Sequence, residues 1–464
     1  MKKLFALLLG VVMTVTAAAC GGNTDGSSDA GSGSSSIPDE VVVDLNGYTF
    51  TILDGDKAHF DPDSGTALND RTLELVEDVE KTFNCNIEVQ VVDPSAMFNK
   101  IQPSIMAGDK TADMVVSTTW AFGQLISADL MADLNTFEEL DLSNPWWNQS
   151  VIPQCTLNGK VFAASGSFLT HIEKIWVMFF NKNIWEELNY EDPYQLVRDG
   201  KWTWDKWDEF AKGAMRDYDG NGVIDSETDR WGLTAPVGDF SKAMFFSMGG
   251  EYYKTNSDGK IVLACNDEKS YDIYDKMIQI IRNDKVMYKQ ADDPATVFTA
   301  DKSLFFSYLL MPDQHSLHPL RDMQSDFGVL PMPKYDESQE NYIGAVDHNA
   351  PLFGVPKSNQ NKREVGIILE ALGRRFQDID QYKTDDWAAV YWRDEESIEM
   401  VDEYINNHGG YDFIIRNANS TLGLPVSAIS EAVFGDSASI DLASTMESLE
   451  SPINEALNDL FGDQ

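Results

Sequence analysis

Cysteine is scarce, with four residues in 464, at positions 20, 85, 155 and 265. Cys85, Cys155 and Cys265 are widely separated and odd in number, so no disulfide framework is implied. They read as small buried apolar residues. Basic side chains are few as well. Lys and Arg number 35 against 76 Asp and Glu, and the formal net charge is −41. Such a surface repels nucleic acid and anionic lipid, and it suits solubility outside the cell or attraction to a cationic partner. Of six histidines, only His315 and His318 stand at a metal-like spacing, and Pro312 and Pro319 bracket them into a loop. No nucleophile elbow, Walker loop or HExxH string occurs. Carboxylates are so many that chance pairs of the glycosidase kind abound, and counting does not exclude them.

Apolar material is ample: hydrophobic residues make up 43% and aromatics 11%. At this length two lobes or domains are the default. MKKLFALLLGVVMTVTAAAC opens with Lys2 and Lys3, continues with an apolar run too short to span comfortably, and ends in small residues before Cys20. This is a secretory signal over 1–19. A cysteine in that place resembles a bacterial lipobox, which makes Cys20 the lipidated N-terminus of the mature protein. The Gly/Ser-rich stretch that follows is a flexible tether over 20–38.

The body begins by alternating strand and helix. YTFTIL, NIEVQVV and ADMVVST read as strands, with helices over TALNDRTLELVEDVEKTF and about Met97 to Met106 between them. That order argues for a parallel sheet with helices on both faces. NGKVFAASGS and KIWVMFFN are apolar, β-rich runs. Thr203 N-caps a helix bearing Trp207, Phe210 and Met215, so packing explains Trp202 and Trp204, and Trp146 and Trp147 read as anchors of a surface loop. Helical patterns recur at Tyr271 to Arg282, Lys362 to Arg374, Glu395 to Asn407 and Ser451 to Phe461.

IMAGDKTADMVVST, ADLMADLNTF, NGKVFAASGS, VMFFNKNIWEEL, WTWDKWDEF, FTADKSLFF and FGVLPMP follow one another in this chain. In that order they resemble the family 1 extracellular solute-binding proteins, the carbohydrate-binding receptors of bacterial ABC importers related to maltose-binding protein. Phe180 stands where that family usually has tyrosine. The resemblance implies a two-lobed α/β fold of the periplasmic-binding-protein kind, its lobes joined by hinge crossings with a ligand cleft between. It places lobe 1 at 39–158 plus 298–346 and lobe 2 at 159–297 plus 347–464. The implied crossings lie near Gly159 to Ala164, Ala291 to Val297 and Ala345 to Phe353.

A sugar receptor stacks an aromatic ring on the apolar face of its ligand and bonds the hydroxyls with polar groups from loops at strand carboxyl ends. On that geometry Trp120, just past ADMVVST, is the leading ligand-binding candidate. Tyr308 offers a second ring, and Asn349 with His348 lies at the third crossing. Ser165 and Ser167 offer hydroxyls or are ordinary turn serines. Trp392 and Arg393 are a late cleft loop or a helix face.

DYDGNGVIDSETD, from Asp217, has oxygen donors at the spacing of a calcium loop. The ligands would be Asp217, Asp219, Asn221, the Val223 carbonyl and Asp225, with Asp229 closing the shell where the sensor loop has Glu. Thr228 occupies that twelfth position, and no second loop pairs with this one, so a calcium sensor is excluded. What remains is a structural Ca2+ site pinning a surface loop, or a solvated Asp-Gly turn.

The sequence therefore leads to a monomeric, non-enzymatic carbohydrate receptor of an ABC importer, lipid-anchored on the outer face of the cytoplasmic membrane, with the permease as partner and no nucleic acid. The rivals are a lipid-anchored glycoside hydrolase or lyase and a same-fold receptor for a peptide or polyamine.

Overall fold

A computed structural model describes residues 40–169, 174–224, 228–258, 260–289, 293–310, 318–379, 382, 393–405, 409–410, 418–435 and 440–461. Cys20, Asp225 and Trp392 lie outside these residues. The chain divides into Met1–Val41 and Val42–Gln464. Of the first unit only residues 40 and 41 are described, both outside regular structure.

Thr66 caps helix α1 (Ala67–Phe83) by accepting the Asn69 N–H, and Asn84 in the left-handed region ends it. This helix returns the chain from β1 (Tyr48–Asp54) to β2 (Cys85–Val91), which pair in parallel. Helix α2 (Pro94–Ala107) makes the next return, to β3 (Met114–Thr118), also parallel to β1. Alternation sets the two faces of this sheet. Phe50, Ile52, Met114 and Val116 join one core cluster with Leu75, Val79 and Phe83 of α1. Leu53 and Val115 face the other way, toward Met97 and Ile101 of α2 and Phe122 of α3 (Thr119–Ser127).

A second sheet is built from β4 (Trp176–Asn181), β5 (Trp231–Thr234), β6 (Met287–Tyr288), β7 (Ser303–Leu309) and β8 (Phe327–Leu330), in the order β6-β5-β7-β4-β8. Between β4 and β5 lies α4 (Trp204–Ala214). Thr203 caps it, accepting the Lys206 N–H, and it buries Trp204, Trp207 and Phe210. Helices α5 (Val237–Ser247) and α6 (Glu268–Ile278) follow β5. The first sheet is completed late in the chain by β9 (Pro351–Gly354), antiparallel to β3, giving the order β9-β3-β1-β2. Helix α7 (Lys362–Arg375) then adds Val365, Ile368 and Leu372 to the α1 side of that sheet.

These pairings correct the expected partition of the chain. The resemblance implies that 298–346 is first-lobe, yet β7 bonds to β4 and β5, and β8 bonds to β4. The resemblance implies that 347–464 is second-lobe, yet β9 pairs with β3 of the first sheet and α7 packs in that sheet's core cluster. Of the crossing expected near Ala291 to Val297, the described part, Asp293 to Val297, lies between β6 and β7, which both flank β5 in one sheet. At the crossing expected near Gly159 to Ala164, Val161 and Ala164 pack in the first-sheet core. Phe168 and Leu169 still pack in the first-lobe core, and Ile175 leads into β4. The run 158–167 contributes the two-residue strand Lys160–Val161 and isolated bridges from Ala164 to Phe353 and from Gly166 to Trp147. The expected surface-loop anchors Trp146 and Trp147 are buried, with Trp147 against Phe168 and Phe353.

Candidate functional site

Among the described residues one irregular strap, 346–350, is held by both sheets. On the second-sheet side Ile175 bridges Val346, and the Asp347 N–H donates to the Lys174 carbonyl at 2.8 Å. On the first-sheet side the Thr119 hydroxyl donates to the His348 carbonyl at 2.7 Å, and the Thr119 N–H donates to the Ala350 carbonyl at 3.1 Å. The Trp120 N–H approaches the His348 carbonyl at 3.4 Å. Carboxyl ends of parallel strands converge here, where an α/β fold presents binding groups. Strand β3 passes directly into α3, so Trp120 sits in the first helical turn and is half-buried. Strand β5 passes through Ala235 and Pro236 into α5, whose first turn carries Asp239.

Asn349 is exposed. Its main-chain and side-chain N–H groups both donate to Oδ1 of Asp347, at 3.0 and 2.8 Å. Tyr308 is half-buried near the end of β7, edge-on to Trp176 at 5.7 Å and stacked on Phe306 at 5.8 Å. It joins the strap indirectly, since the Leu310 N–H donates to the carbonyl of Ile175, the residue that bridges Val346. Ser165 is fully buried, and its carbonyl accepts the Asn148 N–H at 2.8 Å. Ser167 is half-buried, and its hydroxyl is 3.4 Å from the Trp146 carbonyl. Arg393 donates to the carbonyls of Leu320, Met323 and Ser325, a structural role.

Sequence reasoning missed Asp239, Asp347 and Trp176. Asp54 and His59 were missed too; Asp54 is fully buried at the carboxyl end of β1, 2.9 Å from His59 Nδ1. The usable signal was position: each lies within a few residues of a strand's cleft-side end. Open depressions of about 680 Å3 by Lys201, Asp205 and Lys206, and of about 660 Å3 by Asp70, Glu74 and Ile87, are lined by none of these residues. Their rims are mostly charged side chains of the solvated surface, so the strap carries more weight than either.

The acidic loop is a separate construction. Carboxylate oxygens of Asp217, Asp219 and Asp229 lie within 4.8 Å of one another. Asp217 accepts the N–H groups of Gly220 and Gly222, at 2.6 and 2.8 Å. Gly222 has φ 88°, a turn that glycine adopts without strain. Asp229 is buried and accepts the Tyr218 N–H at 3.0 Å, while Asn221 Oδ1 accepts the Val223 N–H at 2.8 Å. All these donors are hard oxygens, so the set fits Ca2+. The loop's foot is clamped. Arg216 and Arg230 exchange main-chain hydrogen bonds, and the buried Arg230 guanidinium donates to both oxygens of Glu187, at 2.7 and 3.0 Å.

Those bonds hold the Glu187 carboxyl below its usual range. A depressed folded-state value contributes stability above the unfolded value of about 4.3, which is lost as pH falls through the folded value. Glu187→Gln should therefore flatten the acid limb of an unfolding-midpoint profile below pH 5, and an unchanged limb would refute the clamp. The effect is small, because the Glu187 side chain is 56% exposed.

A model of the bacterial extracellular solute-binding proteins matches residues 65–372. No curated protein matches the sequence. Solved structures share the fold. A cyclic alpha-maltosyl-1,6-maltose binding protein from Arthrobacter globiformis has TM-score 0.62 at 13% identity, covering 89% of this chain and 100% of that one. An ABC substrate-binding protein from Listeria monocytogenes in complex with cycloalternan has TM-score 0.57 at 16%, covering 90% and 100%. UgpB from Mycobacterium tuberculosis in complex with glycerophosphocholine has TM-score 0.57 at 12%, covering 89% and 98%. At these identities the likeness establishes the two-lobed fold.

Proposed function

We propose a function from one premise: the chain belongs to the bacterial extracellular solute-binding proteins, whose model spans more than half of it. It is a carbohydrate receptor of an ABC importer, taking a sugar or oligosaccharide between the two lobes and delivering it to a permease. The observation that carries this reading is the convergence of Trp120, Asp239 and the strap 346–350 at strand carboxyl ends from both sheets. An indole covers the apolar face of a pyranose, while carboxylates and amides bond its hydroxyls. The sugar ligands of the Arthrobacter and Listeria structures support the class, and nothing here requires covalent chemistry. No helix among the described residues is long and apolar enough to cross a membrane. Retention at the outer face of the membrane is assigned to lipid on Cys20. A Ca2+ ion held by Asp217, Asp219 and Asp229, with Asn221, the Val223 carbonyl and Asp225, would pin the acidic loop.

The test is a thermal-shift screen against maltooligosaccharides, cyclic glucans and glycerophosphodiesters, with and without a calcium chelator. A ligand at a hundred times its Kd stabilises by about 2.7 kcal/mol, several degrees in a chain of this size. Stabilisation by a sugar class without turnover supports the receptor. Hydrolysis of the sugar, or stabilisation by the phosphodiesters alone, overturns it. A melting point insensitive to chelation removes the calcium ion.

A further inference from the structure

We propose that Asp239, Asp347 and His348 bind a divalent transition-metal ion at the strap. One ligand atom from each lies within 4.8 Å of the other two. His348 Nδ1 and Asp347 Oδ2 are 3.5 Å apart. That exceeds a good N–H···O contact. It is close to the roughly 3.3 Å between two atoms bound tetrahedrally at about 2.0–2.1 Å from one ion.

The supports of a metal site are in place. Asn349 donates two hydrogen bonds to Oδ1 of Asp347, which fixes that carboxylate with its other oxygen by the imidazole. The Thr119 hydroxyl and the Lys174 carbonyl hold the strap on either side of Asp347 and His348. One imidazole with two carboxylates suits Zn2+, Mn2+ or Fe2+, in contrast to the all-oxygen loop at Asp217. Three protein ligands leave a position open, and the half-exposed His348 and Asp239 put it within reach of water or a solute group. The ion would tie α5 of the second sheet to the strap that α3 of the first sheet also grips. Lys242 pairs with Oδ1 of Asp239 and competes with the ion for it. The ion would share Asp239 and the strap with the solute site proposed above, and the cobalt band reads the ion rather than the solute.

The experiment titrates the purified full chain, stripped with a chelator, with Co2+ and follows the visible absorption of a cobalt–imidazole centre, with Zn2+ calorimetry alongside. One ion should generate the band. His348→Ala and Asp239→Asn should each weaken binding at least about tenfold. Lys242→Met should tighten it, and Asp217→Asn should leave the band unchanged. Asp239 is on a half-exposed helix turn and does not hold the strap, so its variant tests the site even if His348→Ala misfolds. Absence of the band in the parent chain, its persistence in Asp239→Asn, or its loss in Asp217→Asn overturns the proposal.

Discussion

Trp120→Ala should weaken sugar binding about thirtyfold, while Trp120→Phe keeps most of the affinity. Trp120 is half-buried in the first turn of α3; its main-chain N–H approaches the carbonyl of His348, and it follows Thr119, whose hydroxyl grips the strap. A ring in that place trades solvent for the apolar face of a bound pyranose. Truncating such an anchor costs roughly 2 kcal/mol, which is the thirtyfold. Phenylalanine restores the face without the N–H, so its partial rescue separates stacking from hydrogen bonding. Calorimetric titration with the sugar found in the thermal screen reads both variants. Unchanged affinity in Trp120→Ala would remove the stacking platform and move the ligand toward Tyr308.

A second tryptophan should behave oppositely. Trp204→Ala should destabilise the protein by roughly 3–5 kcal/mol and leave the sugar affinity of the folded molecules intact. Trp204 has no exposed surface, its ring lies 5.0 Å from Trp207 and 6.2 Å from Phe240, and its Nε1–H donates to Ser247 Oγ at 2.9 Å. Truncation leaves a cavity and strips a buried hydroxyl of its donor. The readout is the denaturant midpoint, with sugar titration of the variant below it. Near-parent stability would contradict the packing role. Lost affinity at preserved stability would place the residue in the cleft.

Local chemistry made the individual elements legible. The Thr203 cap and the alternation in YTFTIL each act within a few residues, and the structure shows the helix and strand they imply. Trp202 and Trp204 at a helix entry were readable as packing for the same reason, and both are buried. Trp120 could be placed because the carboxyl end of a parallel strand is a position that a strand-then-helix pattern marks.

Sheet membership was a different matter. SLFFSYL has the same apolar composition whichever sheet it joins, and only its pairing with WVMFFN and WGLT puts it in the second. PLFG is four residues long and says nothing by itself of β3, its partner from more than two hundred positions earlier. The acidic loop shows both sides. Asp217 and Asp219 announced themselves by spacing, but Asp229 reaches them because Arg216 and Arg230 are paired at the loop's foot.

What the sequence determined by itself were features set by neighbours along the chain: the Thr203 cap, the strand and helix periodicities and the oxygen-rich turn. What only the tertiary structure decided was which distant segments share a sheet, where the chain passes between lobes, and that Asp239, Asp347 and His348 meet. The physical reason is that pairing and convergence depend on hydrogen bonds and packing between residues far apart in sequence, and no local pattern encodes the identity of the partner.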